Sequence, residues 1–246
     1  MIPLRYANPT RRAPIVTIGL IVACFVVFAY EVGSLAYGGG ALDAFVRAWG
    51  VVPAELTSAW AAGSFASTET VTLLSSQFLH GGWLHILGNL LYLWIFGNNI
   101  EDRFGRLAFP IFYLTGGAVA GLTQVLIDPT SDVPLIGASG AIAAILGAYL
   151  VLYPRARITS LVFLGFFYQL IDVPAVIVLA FWFVLQLVDG LASLGVGSVG
   201  GGVAFFAHIG GFAFGALVAV VIRTVGRRRG RGAVRPAGPS RRASVG

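Results

Sequence analysis

Six apolar stretches, each near the length needed to cross a lipid bilayer, constrain this chain more than any other feature. The hydrocarbon core of a bilayer is roughly 30 Å thick, and a helix of about 20 residues crosses it. Hydrophobic residues make up 57% of the sequence and charged residues only 11%, whereas soluble domains carry about 25% charged residues. The sequence therefore predicts an all-α membrane protein whose six spans are 15–32, 81–100, 107–127, 135–153, 173–188 and 203–222.

The arginines determine the predicted orientation of these spans. They lie before span one, between spans two and three, after span four and after span six, and only Arg47 lies on the other side. Because basic residues concentrate in cytoplasmic loops, we predict that both termini are cytoplasmic, which requires an even number of spans. The pI is about 10. Because arginines beside membrane spans account for this value, no nucleic-acid partner is expected.

The predicted organisation has three parts. Residues 1–14 form a cytoplasmic N-terminal segment, 15–225 the six-helix domain, and 226–246 a basic tail predicted to be disordered. A long external loop, 35–80, joins spans one and two, and its apolar stretches predict helices lying in the membrane interface. The apolar segment 158–171 would reach only about 21 Å as a helix, so we expect a loop or an interfacial helix at the inner face.

Few polar side chains fall within the predicted spans. Because polar groups are costly inside a bilayer, each of them is a functional candidate. Counting about 1.5 Å per residue from the predicted boundaries places the intramembrane ones at similar depth, toward the external face. They are His85 and Asn89 on span two, Ser139 at the start of span four and His208 on span six, with His80 at the mouth of span two.

The chemistry of these residues is that of acyl transfer. Pro134 and Gly137 predict that the helix of span four begins near Ser139, inside the membrane. Backbone that is not helical at this depth is tolerated where it lines a cavity, and a helix N-terminus directs free N–H groups at that cavity. His208 can then act as the base for Ser139, while Asn89 and the N–H groups stabilise an oxyanion. No acidic residue lies well inside a span, so a Ser-His dyad is predicted.

Each of these features alone also has a structural explanation. A G-x-S-G sequence or a G-x-x-x-G sequence serves the close packing of helices, and buried His or Asn side chains serve as hydrogen bonds between helices. The conjunction of polar groups from three spans at one depth is what favours a catalytic site.

At these residues the chain resembles the rhomboid family of intramembrane serine proteases, over nearly its whole length. The second-helix pattern of the family is present as His80, His85 and Asn89, followed by Glu101, Arg103 and Gly105. The family's G-x-S-G motif occupies residues 137–140, and its A-H-x-x-G-x-x-x-G motif occupies residues 207–215.

The resemblance implies specific roles. Ser139 would be the nucleophile and His208 the general base. The implied oxyanion pocket consists of His85, Asn89 and the backbone of Ala138 and Ser139. The implied structural support comes from His80, Gly137, Gly140, Gly211, Gly215, Glu101 and Arg103.

The resemblance also implies a minimal bacterial form, located in the plasma membrane, that cleaves the transmembrane segments of other membrane proteins. Neither a cofactor nor a metal is expected. Several relatives carry an aromatic residue four positions after the serine, where this chain has Ala143, so the resemblance does not say what orients His208. The main alternative is a catalytically inactive relative that binds membrane helices. A transporter or channel is disfavoured, because neither internal repeats nor ionisable residues at the midplane are present.

Overall fold

The computed structural model describes residues 2–6, 10–35, 38–164, 167–195 and 204–232. This part of the chain is mostly helical, as predicted. Its ten α-helices are α1 (Ile15–Ser34), α2 (Gly39–Trp49), α3 (Pro53–Ala61), α4 (Thr68–Ser75), α5 (Trp83–Tyr92), α6 (Asn98–Phe104), α7 (Ala108–Ile127), α8 (Ser139–Leu152), α9 (Ala175–Gly195) and α10 (Phe205–Gly232). Three strands are also present: β1 (Ile2–Tyr6), β2 (Arg157–Leu164) and β3 (Phe167–Pro174).

The apolar helices follow the predicted spans. Among the described residues, three helices are long and apolar enough to cross a membrane, namely α1, α7 and the part of α10 from Phe205 to Val225. Two shorter apolar helical stretches, α8 and residues Ala175–Val188 of α9, lie where spans four and five were predicted. The predicted second span forms α5, a π-helical turn (Leu93–Gly97) and α6 in succession.

Helix α8 lies at the centre of the bundle, where every residue from Gly140 to Tyr149 is buried. Glycines on α8 and α10 let these two helices come into backbone contact. A Cβ atom at Gly215 would clash with the carbonyl oxygen of Ala144, and one at Gly147 would clash with that of Phe212. Small residues on both faces therefore set the distance between α8 and α10.

Residues 158–164 and 167–171 form strands rather than a loop or a helix, so the prediction for this segment is wrong. Strands β2 and β3 form an antiparallel hairpin, and β1 pairs with β2 to complete a three-stranded sheet. The hairpin sequence is rich in β-branched and aromatic residues, which favour strands. Ile158 is fully buried, and Thr159 donates a hydrogen bond to Asp172 across the hairpin at 2.7 Å.

The segment between α1 and α5 contains the short helices α2, α3 and α4. The indole N–H of Trp60 on α3 donates to Thr70 on α4 at 2.8 Å. An antiparallel bridge between Val51 and Leu135 ties this segment to the stretch that leads into Ser139. Its backbone hydrogen bonds measure 3.1 Å and 2.8 Å.

Helix α10 continues to Gly232, past the predicted start of the basic tail at residue 226. The rest of that tail, 233–246, lies outside the described residues, as does the connection 196–203 between α9 and α10.

Candidate active site

Ser139 is the first residue of α8, so the helix begins where Pro134 and Gly137 predicted. Gly137 has a φ of 121°, a conformation that favours glycine. A Cβ atom at Gly137 would lie 2.7 Å from Nε2 of His85. The N–H of Gly137 donates to the carbonyl oxygen of Ser76 at 2.9 Å. This turn holds the backbone against the His85 ring immediately before the serine.

Ser139 and His208 are in hydrogen-bond contact. Nε2 of His208 lies 2.7 Å from Oγ of Ser139, although the two residues are separated by most of α8, the β-hairpin and α9. His208 lies in the first turn of α10, and only 8% of it is exposed. Gly211, one turn further along α10, contacts the carbonyl oxygen of Gly140 so closely that no Cβ atom fits there. The glycine contact thus brings the imidazole to the serine.

The other ring nitrogen of His208 has a partner that was not among the predicted site residues. Nδ1 of His208 lies 2.5 Å from Oε1 of Gln186 on α9. Trp182, one turn earlier on α9, has its ring centroid 5.8 Å from that of His208. Gln186 lies in the apolar stretch of span five, so the rule that singled out the other intramembrane polar residues could also have found it.

His85 and Asn89 lie one turn apart on α5, beside Gly137. The N–H of Gly81 donates to Nδ1 of His85 at 3.3 Å, so Nε2 of that imidazole carries the proton and is a donor. Nδ2 of Asn89 is buried and has no hydrogen-bond partner among the described residues. A Cβ atom at Gly137 would lie 3.7 Å from it. Two side-chain donors therefore face the backbone that precedes Ser139.

His80 packs against the ring of His85. The two rings meet edge to face, with their centroids 5.2 Å apart. His80 is only 2% exposed, and its backbone N–H donates to both carboxylate oxygens of Glu31 on α1, at 3.2 Å and 3.1 Å. The side-chain Nδ1 lies 3.1 Å from the carbonyl oxygen of Phe78. These contacts fix the start of α5 against α1.

Glu101 lies away from the serine and caps α1. Its buried carboxylate accepts hydrogen bonds from the N–H groups of Val16 and Thr17, at 3.0 Å and 2.8 Å, and from the Thr17 hydroxyl at 2.7 Å. Negative charge at a helix N-terminus stabilises the helix, because it satisfies free N–H groups and complements the helix dipole. Arg103 is exposed in the last turn of α6.

A small cavity opens beside Ser139. Its volume is about 40 Å³, which is large enough for water. Gln77, Gly117 and Ala207 contribute to its lining together with Ser139. In the described part of the chain, no group of three or more His, Cys, Asp or Glu side chains is placed to hold a metal ion.

The sequence of the chain is similar to those of known proteins. Residues 67–225 match the profile of the Rhomboid domain. RHOMBOID-like protein 4 of Arabidopsis thaliana is 33% identical over 150 residues, which are 61% of this chain and 33% of that protein. RHOMBOID-like protein 12, mitochondrial, of the same plant is 31% identical over 179 residues, which are 65% of this chain and 48% of that protein. Rhomboid protease GluP of Bacillus subtilis is 34% identical over 142 residues, which are 58% of this chain and 26% of that protein.

The matched range contains Ser139, His208, His85 and Asn89 and covers well over half of the chain. The chain therefore belongs to the rhomboid family, and its apolar helices are those of a membrane protein. It spans between about a quarter and a half of the length of these three relatives.

Proposed function

We propose that this chain is an intramembrane serine endopeptidase that hydrolyses peptide bonds in or near the transmembrane segments of other membrane proteins. The observation that carries the proposal is the 2.7 Å contact between Oγ of Ser139 and Nε2 of His208 at the first residue of α8. A nucleophile hydrogen-bonded to its base, beside free backbone donors, is the arrangement that acyl transfer requires.

In the proposed reaction Oγ of Ser139 attacks the substrate carbonyl carbon while its proton moves to Nε2 of His208. The resulting oxyanion accepts hydrogen bonds from the side chains of Asn89 and His85 and from the N–H groups at the start of α8. His208 then gives its proton to the leaving amine as the peptide C–N bond breaks. Water from the cavity beside Ser139 hydrolyses the acyl-enzyme, with His208 again acting as the base.

The proposed topology has six spans, with both termini in the cytoplasm of a bacterial plasma membrane and the active site opening toward the external face. The β-sheet supports an even number of spans from α1 to α8, because β1 precedes α1 and pairs with β2, which follows α8. The cap that Glu101 provides likewise joins the end of the second predicted span to the start of the first. Nη1 of Arg223, near the end of the sixth, donates to the carbonyl oxygen of Val151 at 3.1 Å.

The competing hypothesis is a catalytically inactive rhomboid-like protein that binds membrane helices. Some relatives are named only as rhomboid-like proteins, without the word protease. The presence of both Ser139 and His208, in contact, favours the protease.

Labelling by a fluorophosphonate probe tests the proposal, because the probe reacts with activated serines. The purified protein in detergent is compared with Ser139→Ala, His208→Ala and the control Ser58→Ala, whose hydroxyl bonds a backbone carbonyl on α3 instead. We expect labelling of the wild type and the control and none of the first two variants. Absence of labelling in folded wild type, while an active rhomboid protease labels alongside it, would refute the protease and favour the helix-binding hypothesis.

A further inference from the structure

The contact between His208 and Gln186 bears on which tautomer the imidazole adopts. An amide carbonyl oxygen can only accept a hydrogen bond, so the hydrogen shared between Oε1 of Gln186 and Nδ1 of His208 belongs to the histidine. A neutral imidazole carries one N–H, and with that hydrogen on Nδ1 the lone pair of Nε2 faces Oγ of Ser139. A base must present this lone pair to the nucleophile.

The packing around His208 restrains the ring as well. Trp182 lies against it on the α9 side, with the two ring planes inclined by 40°. Phe212 on α10 stacks on Trp182 at 6.2 Å and on Phe183 at 4.5 Å between ring centroids. On α8, position 143 offers only a methyl group. The side chains that restrain the imidazole therefore come from α9 rather than from the helix that carries the nucleophile.

We propose that Gln186 is a positioning residue for His208, holding the base in its Nδ1–H tautomer and aiming Nε2 at Ser139, with Trp182 as the wall that limits ring rotation. The proposal rests on the proposed protease function for its catalytic consequence, but the tautomer is a property of the resting protein.

An amide suits this position in a membrane. A carboxylate would bring a second ionisable group into the apolar bundle, which is costly. The glutamine oxygen instead fixes the tautomer without charge, and it continues to accept from Nδ1–H when His208 takes the serine proton. The alignment of the base consequently depends on the position of α9 relative to α10.

Three variants test the proposal. Gln186→Met keeps the length of the side chain and removes the acceptor, Gln186→Glu keeps an acceptor oxygen in place, and Leu187→Met is the control for a methionine on the same helix. The first measurement is the ¹⁵N NMR spectrum of protein labelled at histidine. The chain has 3 histidines, and the signals that disappear in His208→Ala are those of His208. The second measurement is the rate of labelling of Ser139 by a fluorophosphonate at several probe concentrations, with thermal unfolding as the check on folding.

We expect the His208 signals of wild type, Gln186→Glu and Leu187→Met to show a protonated Nδ1 and an unprotonated Nε2. Gln186→Met should lose this preference. Its maximal labelling rate should fall by roughly tenfold to a hundredfold, the scale expected when a buried donor loses its acceptor, while the probe concentration that gives half of that rate stays unchanged. Gln186→Glu should keep most of the labelling rate of the wild type.

A protonated Nε2 in wild type, or the same tautomer and rate in Gln186→Met as in wild type, would overturn the proposal. If the wild type does not react with fluorophosphonates, but the Nδ1–H tautomer of the wild type is lost in Gln186→Met, the protease function is refuted and the role of Gln186 stands.

Discussion

Replacing Gly211 with alanine tests whether the glycine contact between α8 and α10 holds the serine and the histidine together. The alanine Cβ atom would overlap the carbonyl oxygen of Gly140, the residue after the nucleophile. Since a carbon and a carbonyl oxygen approach to about 3.3 Å, the two backbones would have to separate by about 1 Å. Both partners are backbone atoms or fixed to the backbone, so no side chain can rotate away to relieve the overlap.

The separation acts directly on the dyad. Oγ of Ser139 and Nε2 of His208 are 2.7 Å apart, and about 1 Å more exceeds the hydrogen-bond range. A displacement of this size at reacting groups costs about a hundredfold in rate. We therefore expect Gly211→Ala to lower the rate of fluorophosphonate labelling about a hundredfold. Overpacking should also destabilise the fold, by about 1–3 kcal/mol.

The assay compares labelling rates in detergent at a temperature where thermal unfolding shows every variant to be folded. Gly19→Ala on α1 is the matched control, because no atom of the residues that the structure describes lies within 4 Å of the Cβ atom that it would add. Its labelling rate and unfolding temperature should stay near those of the wild type. If folded Gly211→Ala labels as fast as the wild type, the glycine contact does not set the geometry of the dyad.

Two further predictions concern a donor and a cap. Asn89→Ala should lower kcat for a transmembrane substrate by about 10²–10³-fold. The unfolding temperature should change little, because Nδ2 of Asn89 has no hydrogen-bond partner in the described part of the chain; a large loss of stability would instead indicate a structural role. Glu101→Gln should cost about 1–3 kcal/mol in free energy of unfolding, because its carboxylate caps α1. The control is Glu55→Gln, because Glu55 forms an exposed ion pair with Arg47 at 2.6 Å; it should cost at most about 1 kcal/mol in free energy of unfolding. Equal losses of stability in Glu101→Gln and Glu55→Gln would argue against the cap.

Much of the fold was predictable from the sequence because the relevant signals are local. The length of an apolar run determines whether a helix can cross a bilayer. Five of the predicted spans overlap apolar helices of the structure, three of them long enough to cross a membrane. Pro134 and Gly137 act on their own backbone, so the start of α8 at Ser139 was predictable as well. The motifs around Ser139 and His208 pointed to the family that the comparison then confirmed.

The sheet and the partners of the histidines were not predictable in this way. The segment 158–171 is apolar whether it forms a helix or a hairpin, and its strand partner lies near the N-terminus, more than 150 residues away. Gln186 is equally a polar residue without an obvious partner until α9 and α10 lie side by side.

The sequence by itself therefore determined that the chain lies in a lipid bilayer, where its apolar helices are, and which residues are the candidate nucleophile and base. Each of these depends on residue type and on neighbours along the chain. Only the tertiary structure decided that Ser139 and His208 touch, that Gln186 accepts from the imidazole, and that Glu31 and Glu101 hold helices together. Those contacts join side chains from different helices, and their geometry depends on how closely glycines let the backbones approach.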